Sequence, residues 1–199
     1  RPFVMGKYDG IRLAASMAEG YAMSGLGMGR YMRFESPVGF EVLTRYTKFM
    51  HQHRDLYDGA EAVADVALVL PRQSVWNRRP EALDAFRNLG QALVERQVLL
   101  DVVADENLTA ERLQNYPAVI LPTAVSLSDS QLAALRAYSA DGGLVLQYDE
   151  AATLDESGTP RRDSSIDGAV PVDAAPVSDA DAHAAADPIV TRLRQHGSS

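Results

Sequence analysis

Four short apolar runs constrain this chain more than anything else in it. Ala64–Leu70 (ADVALVL), Val98–Val103 (VLLDVV), Ala118–Leu121 (AVIL) and Leu144–Tyr148 (LVLQY) are nearly continuous rather than alternating. A strand with one wet face alternates apolar and polar residues; a continuous run suits a strand buried on both faces, as in parallel sheets covered by helices. Helical patterns lie between the runs. Glu81–Arg96 places Leu83, Phe86, Leu89 and Leu93 on one side. Ser128–Ser139 opens with Ser128 three residues before Gln131, the spacing of a capping box, with Leu127 and Leu132 placed as a hydrophobic staple, and Gly142-Gly143 ends it. Four such units in about 90 residues predict an α/β fold: a flavodoxin-like, doubly wound, mostly parallel sheet with strand order 2-1-3-4.

The flanking regions differ in texture. Gly10–Gly25 is Ala- and Met-rich with helical spacing, Arg30–Glu35 (RYMRFE) reads as a short strand, and Gly39–Arg54 carries Phe40, Leu43, Tyr46, Thr47 and Met50 as one helical stripe. Residues 155–188 are rich in Asp, Ala, Pro and Ser without one aromatic, a composition that predicts a segment burying little. A short helix over Pro188–Gln195, with Ile189, Val190 and Leu193 inward, is expected to follow. The organisation read from the sequence is thus residues 1–58, a sheet domain over 59–154, and an acidic tail over 155–199.

Charge narrows the function classes. The 199-residue chain carries a formal −8, and the excess lies late: residues 59–150 hold thirteen Asp/Glu against seven Lys/Arg, and 151–199 eight against four. That surface repels duplex nucleic acid, and no basic stripe with interleaved aromatics offsets it, so no nucleic-acid partner is expected. No run of about 18 apolar residues exists to cross a bilayer as a helix, so no membrane partner is expected either. With no cysteine, a disulfide framework, a thiolate zinc site and a cysteine nucleophile are all excluded.

In an open α/β sheet, ligands bind beyond the carboxyl ends of the strands. Those ends here are Pro71–Trp76, Asp101–Asp105, Pro122–Ser126 and Asp149-Glu150. The first turn, PRQSVWNRRP, lacks the glycines a phosphate cradle needs, and Gly25, Gly27 and Gly29 follow a helix and precede a strand, the reverse of that context. No cofactor is expected. Arg72, Arg78 and Arg79 fit solvated or paired arginines better than an anion site. His51 and His53, two apart on a helix, point roughly 200° apart and suit no shared metal. Trp76 is expected to be core, with Pro122–Ser126 as neighbours. On the strand RYMRFE, Tyr31, Arg33 and Glu35 share a face, which fits either a polar substrate contact or a plain ion pair.

Three stretches carry a resemblance: RLAASMAEGYAMSG, followed by RYMRFE and a helix ending HQHRDLYDGAEAVADVALVLPRQSVW; PAVILPTAVSLSDSQLAALRAYSADGGLVLQYDE; and DESGTPR. Over about residues 10–160 the chain resembles the junction between the (β/α)8 barrel and the trimerisation domain of family 42 β-galactosidases and their hypothetical glycosyl-hydrolase relatives. Such middle domains are similar to class I glutamine amidotransferases, but with no cysteine here amidotransferase chemistry does not carry over. The resemblance implies that residues 1–58 end a barrel whose two catalytic carboxylates lie before residue 1, and that Tyr31, Arg33 and Glu35 sit where the eighth strand meets substrate. It also implies a homo-oligomer and a carbohydrate ligand for the complete protein.

The expected function is therefore an assembly domain with a barrel remnant, inactive by itself. Two alternatives stand beside it: a small-molecule-binding module with its crevice between Trp76 and Ser126, and a hydrolase using Glu35 with Asp149 or Glu150.

Overall fold

The computed structural model describes residues 45, 48–49, 51–57, 63–148, 151–172 and 178–197. The chain divides into two compact units, Arg1–Ala62 and Val63–Ser199. In the first, residues 45, 48–49 and 51–52 are helical and a further helical turn runs over Arg54–Tyr57. The remaining expectations for residues 1–44 lie outside the described residues.

The second unit is a five-stranded, all-parallel sheet. Its elements are β1 (Val66–Leu70), α1 (Arg72–Trp76), α2 (Glu81–Glu95), β2 (Leu100–Ala104), a 3-10 turn (Asp105–Asn107), α3 (Ala110–Leu113), β3 (Ala118–Leu121), α4 (Asp129–Ala140), β4 (Leu144–Gln147), β5 (Val170–Pro171) and α5 (Asp179–Gly197). The strand order β2-β1-β3-β4-β5 contains the expected 2-1-3-4, with one more strand at the edge. Val66 pairs with Leu100 on one side and Ala118 on the other, and Ala118 with Leu144, so the central strands start level.

Both faces of the sheet are covered, which is why the runs are continuous. Ala67, Val69, Val119, Leu121 and Val145 pack with Leu113, Leu132, Leu135 and Tyr138 of α3 and α4. On the opposite face Val66, Leu68, Ala118, Ile120 and Leu146 pack with Phe86, Leu89 and Leu93 of α2 and with Ala182, Ala186 and Ile189 of α5. Each fully buried Leu, Ile or Phe stabilises the fold by about 1.5–3 kcal/mol relative to exposure.

The α4 signals read from the sequence are met in detail. Ser128 Oγ accepts from the Gln131 N–H (3.2 Å) while Gln131 Oε1 accepts from the Ser128 N–H (2.6 Å). At its far end the Gly142 N–H bonds the Ser139 carbonyl and the Gly143 N–H the Tyr138 carbonyl, with Gly142 at φ +93°. Gly143 is held to glycine by proximity, since a Cβ there would lie 2.3 Å from the Tyr138 ring. The end of α2 has the same bonds, from Gln97 N–H to Val94 O and from Val98 N–H to Leu93 O, but its left-handed position is Gln97 (φ +60°). That turn consumes residues 96–98, so β2 begins at Leu100 rather than the expected Val98.

The tail differs most from expectation. Instead of a segment burying little and a short helix, residues 151–197 supply β5 and the nineteen-residue α5. The composition misled because this region is fixed by polar ties and small residues. Arg136 donates to the Ser165 carbonyl (2.8 Å) and to Asp163 (2.9 Å), Ser139 Oγ donates to the Asp167 carbonyl (2.6 Å), and Arg161 binds Asp129 and the Leu127 carbonyl. Arg96, at the end of α2, donates to Asp187 (2.5 Å) and to the His183 carbonyl (3.0 Å) of α5. Alanines at 182 and 186 let that helix lie close against the sheet.

Candidate functional site

In the order β2-β1-β3-β4-β5 the chain turns from one side of β1 to the other between β2 and β3, so the crevice for a ligand would open beyond the carboxyl ends of β1 and β3. Among the described residues, α1 and the loops after β3 and β4 occupy that place. α1 starts directly after Pro71, and its Ser74 hydroxyl accepts a 3.0 Å bond from the Ser126 N–H, both residues being buried. Thr123, Ala124 and Val125 are buried beside them, with Thr123 in the left-handed region at φ +52°. Residues 151–154 run alongside: the Ala152 N–H donates to the Ala124 carbonyl, the Leu154 N–H to the Val125 carbonyl, and the Leu127 N–H to the Leu154 carbonyl. Ala151 and Ala152 are buried beside that loop.

Asp105 is the ionisable group within this plug, only 2 % exposed at the end of β2. Its Oδ2 accepts from the Gln73 N–H (2.7 Å) and its Oδ1 from the Glu106 N–H (3.0 Å). Burial outweighs both bonds and, with help from the neighbouring Glu106 charge, pushes the carboxyl up to about 6. Gln131 Nε2 takes the Asp105 carbonyl (2.9 Å), so the capping box of α4 is anchored on the same residue. Two hydroxyl oxygens at the mouth, Thr123 Oγ1 and Ser126 Oγ, find no hydrogen-bond partner among the described residues, and at the end of β4 neither do Gln147 Oε1 and Tyr148 OH.

Trp76 corrects the sequence reading. It was expected in the core, yet 64 % of it is exposed. The loop contact was read rightly, since α1 does meet residues 122–126, but Ser74 makes it. Two residues apart on a helix, Ser74 and Trp76 face roughly opposite ways, and the small hydroxyl is the side chain that fits inside. The indole lies instead under the Arg72 guanidinium, 5.0 Å from the ring centroid. Arg72 is ion-paired with Glu106 and Arg79 with Glu81 (3.6 Å), in keeping with the expectation of paired arginines.

The other candidates fall differently. Tyr31, Arg33, Glu35, Asp149, Glu150 and the glycines at 25, 27 and 29 lie outside the described residues. His51 is exposed and His53 half-buried, with its ring 4.5 Å from that of Phe49. Among the described residues no group of three or more His, Asp or Glu side chains is placed to hold a metal ion, and no helix is long and apolar enough to cross a membrane. The sequence reading named the strand end at Asp105 but not its burial, and it gave Ser74 no role. A lone Asp after a strand looks the same in sequence whether it is solvated or enclosed.

No protein-family model and no curated protein matches the chain. Among solved structures it is similar to Gan42B, a GH42 β-galactosidase, at a TM-score of 0.51 and 19% identity over 64% of this chain and 19% of that one. A catalytic mutant of Gan42B from G. stearothermophilus matches at 0.50, with 19% identity over 65% of this chain and 19% of that one. The chain thus spans about a fifth of the length of those proteins. At this identity the likeness is one of fold: most of the chain has an architecture also found within a GH42 β-galactosidase.

Proposed function

We propose that the sheet unit is a non-catalytic assembly module of a glycoside-hydrolase-related protein similar to the β-galactosidases, serving contacts between copies and walling a neighbouring sugar site. The observation that carries this reading is the plugged switch point: Thr123–Ser126 and Ala151-Ala152 occupy the place where a doubly wound sheet otherwise takes its ligand. The fold likeness to part of a GH42 β-galactosidase supports it. Tyr31, Arg33 and Glu35 would then meet carbohydrate in the complete protein, and the working form would be a homo-oligomer. Light scattering with an aryl-glycoside panel tests the proposal. A mass of more than one chain at micromolar concentration, with no turnover, is the expected result. A single-chain mass, or turnover that Glu35→Gln abolishes, overturns it.

The exposed Trp76 favours a second reading, in which the indole stacks on a small polar ligand at the sheet mouth. A saturable, sugar-dependent shift of its emission is the outcome that would support this reading over the first.

A further inference from the structure

The first turns of two helices hang on one buried carboxylic residue. The Asp105 carboxylate accepts the Gln73 N–H from α1 and the Glu106 N–H from its own 3-10 turn. Its carbonyl accepts Gln131 Nε2, and that same Gln131 caps the start of α4. The chain ends of β1, β2 and β3 are therefore tied through a single side chain and its peptide group. Among the described residues Asp105 makes no ion pair. Arg72, the charged residue near it on α1, is drawn to Glu106. Glu106 adds like charge from the adjacent position, and Gln131, facing it from α4, is neutral. The loop 123–126 brings no titratable group, and Glu156 reaches Gln73 and Asn77 only through its backbone carbonyl. Among the described residues each carboxylate oxygen thus has one backbone donor and no counter-ion.

We propose that Asp105 is a proton-operated latch on the carboxyl face of the sheet. Ionised, it fastens α1 through the Gln73 N–H and the 3-10 turn through the Glu106 N–H. Protonated, one oxygen becomes a donor, one of the two N–H ties is released, and α1 loosens together with the Arg72–Trp76 stack it carries. A carboxylate oxygen accepts a stronger bond than a neutral carboxyl does, so the tie that remains is also weakened. The enclosed setting that pushes this carboxyl up to about 6 puts the change near neutrality, where an ordinary aspartate stays ionised throughout. The consequence is local: the sheet stays formed, and what varies is how firmly the surface around the single tryptophan is held.

The test uses the full chain, following the Gln73 and Glu106 amide resonances and acrylamide quenching of Trp76 between pH 4.5 and 8. Both amides are expected to move with one midpoint near pH 6, and quenching to rise as pH falls through it. Asp105→Asn should flatten both responses. Glu106→Gln, which removes the adjacent like charge, should keep the titration and lower its midpoint. Amides that stay still from pH 5 to 7.5, or a midpoint in the ordinary carboxylate range, overturn the proposal. So does a clear Asp105 titration that leaves Trp76 quenching unchanged. Should Asp105→Asn not fold, the direction of the Glu106→Gln shift decides the matter.

Discussion

Residues 63–148 and residues 151–197 belong to one unit but are held by different physics. The first stretch is fixed by aliphatic burial: Leu68, Leu89, Leu93, Ile120 and Leu121 are enclosed on the two faces of the sheet. The second adds to the packing of Ile166, Val172, Ala182, Ala186 and Ile189 a larger share of named polar bonds, among them Asp155 Oδ1 accepting from Ser157 and Thr159 N–H groups (2.8 Å each), the Arg136 and Arg161 clamps, and Arg96 on α5. Aliphatic burial leaves a periodic trace in the sequence, whereas polar clamps depend on which arginine meets which carbonyl. A region can therefore read as a linker and still be part of the fold.

The comparison breaks most visibly at its aliphatic end. Leu121→Ala should cost about 2–5 kcal/mol, because the site is closed on all sides and collapses poorly. The loss should appear as a lower urea midpoint for the whole unit, with one cooperative transition.

A sharper test uses acid. The folded Asp105 carboxyl stands at about 6 against an ordinary 3.8. The stability it contributes is fully present below pH 3.8 and is lost as pH rises through 6. Urea midpoints should accordingly be higher at pH 4.5 than at pH 7, with Asp105 accounting for up to about 3 kcal/mol, and Asp105→Asn should remove that slope. The enclosed frame then gains stability in the same range where the α1 latch lets go. Asp155, Asp163 and Asp187 are held below the usual carboxylate range, first by bonds from Ser157, Ser165 and Arg96 respectively. They pull the other way only as pH falls below 3.8, outside this window.

On the polar side, Arg161→Ala leaves the Leu127 carbonyl without its guanidinium donor and should cost about 1–2 kcal/mol. Its signature should be local: amide exchange faster in residues 155–166 than in β1 and β3. Uniform acceleration across the sheet would show that the two regions do not differ as described. The smallest effect expected is a gain. Gln97→Gly relieves a left-handed residue at the end of α2 and should stabilise the unit by about 0.5–1 kcal/mol in thermal melts.

The same two helix ends show what was legible in the sequence. The close of α4 was readable because Gly142-Gly143 announces it. The identical geometry at α2 was not, since Gln97 gives no sign of a positive φ. The first four strands and the capping box followed from periodicity and spacing, and the strand order from the fold class those strands imply. Trp76 was misread because nothing in RQSVW tells which of Ser74 and Trp76 turns inward on a five-residue helix. The plug at the switch point was invisible for a related reason: it depends on residues 151–154 returning to 124–127, a pairing between two stretches with no apolar rhythm.

The Arg96–Asp187 bond joins residues 91 apart, and the last helix supplies much of the cover for one face of the sheet. A ribosome releases the chain in order, so β1 to β4 with α2 and α4 emerge whole before α5 exists. Until then Leu146 and Tyr148 lack the Ala182, Ala186 and Ile189 that pack with them in the finished protein. Closing so long a loop is slow compared with local pairing, and apolar surface left bare in the interval is where chains of this kind associate wrongly. The late arrival of one alanine-faced helix thus leaves one face of the sheet bare during synthesis, the interval in which such surface favours wrong association.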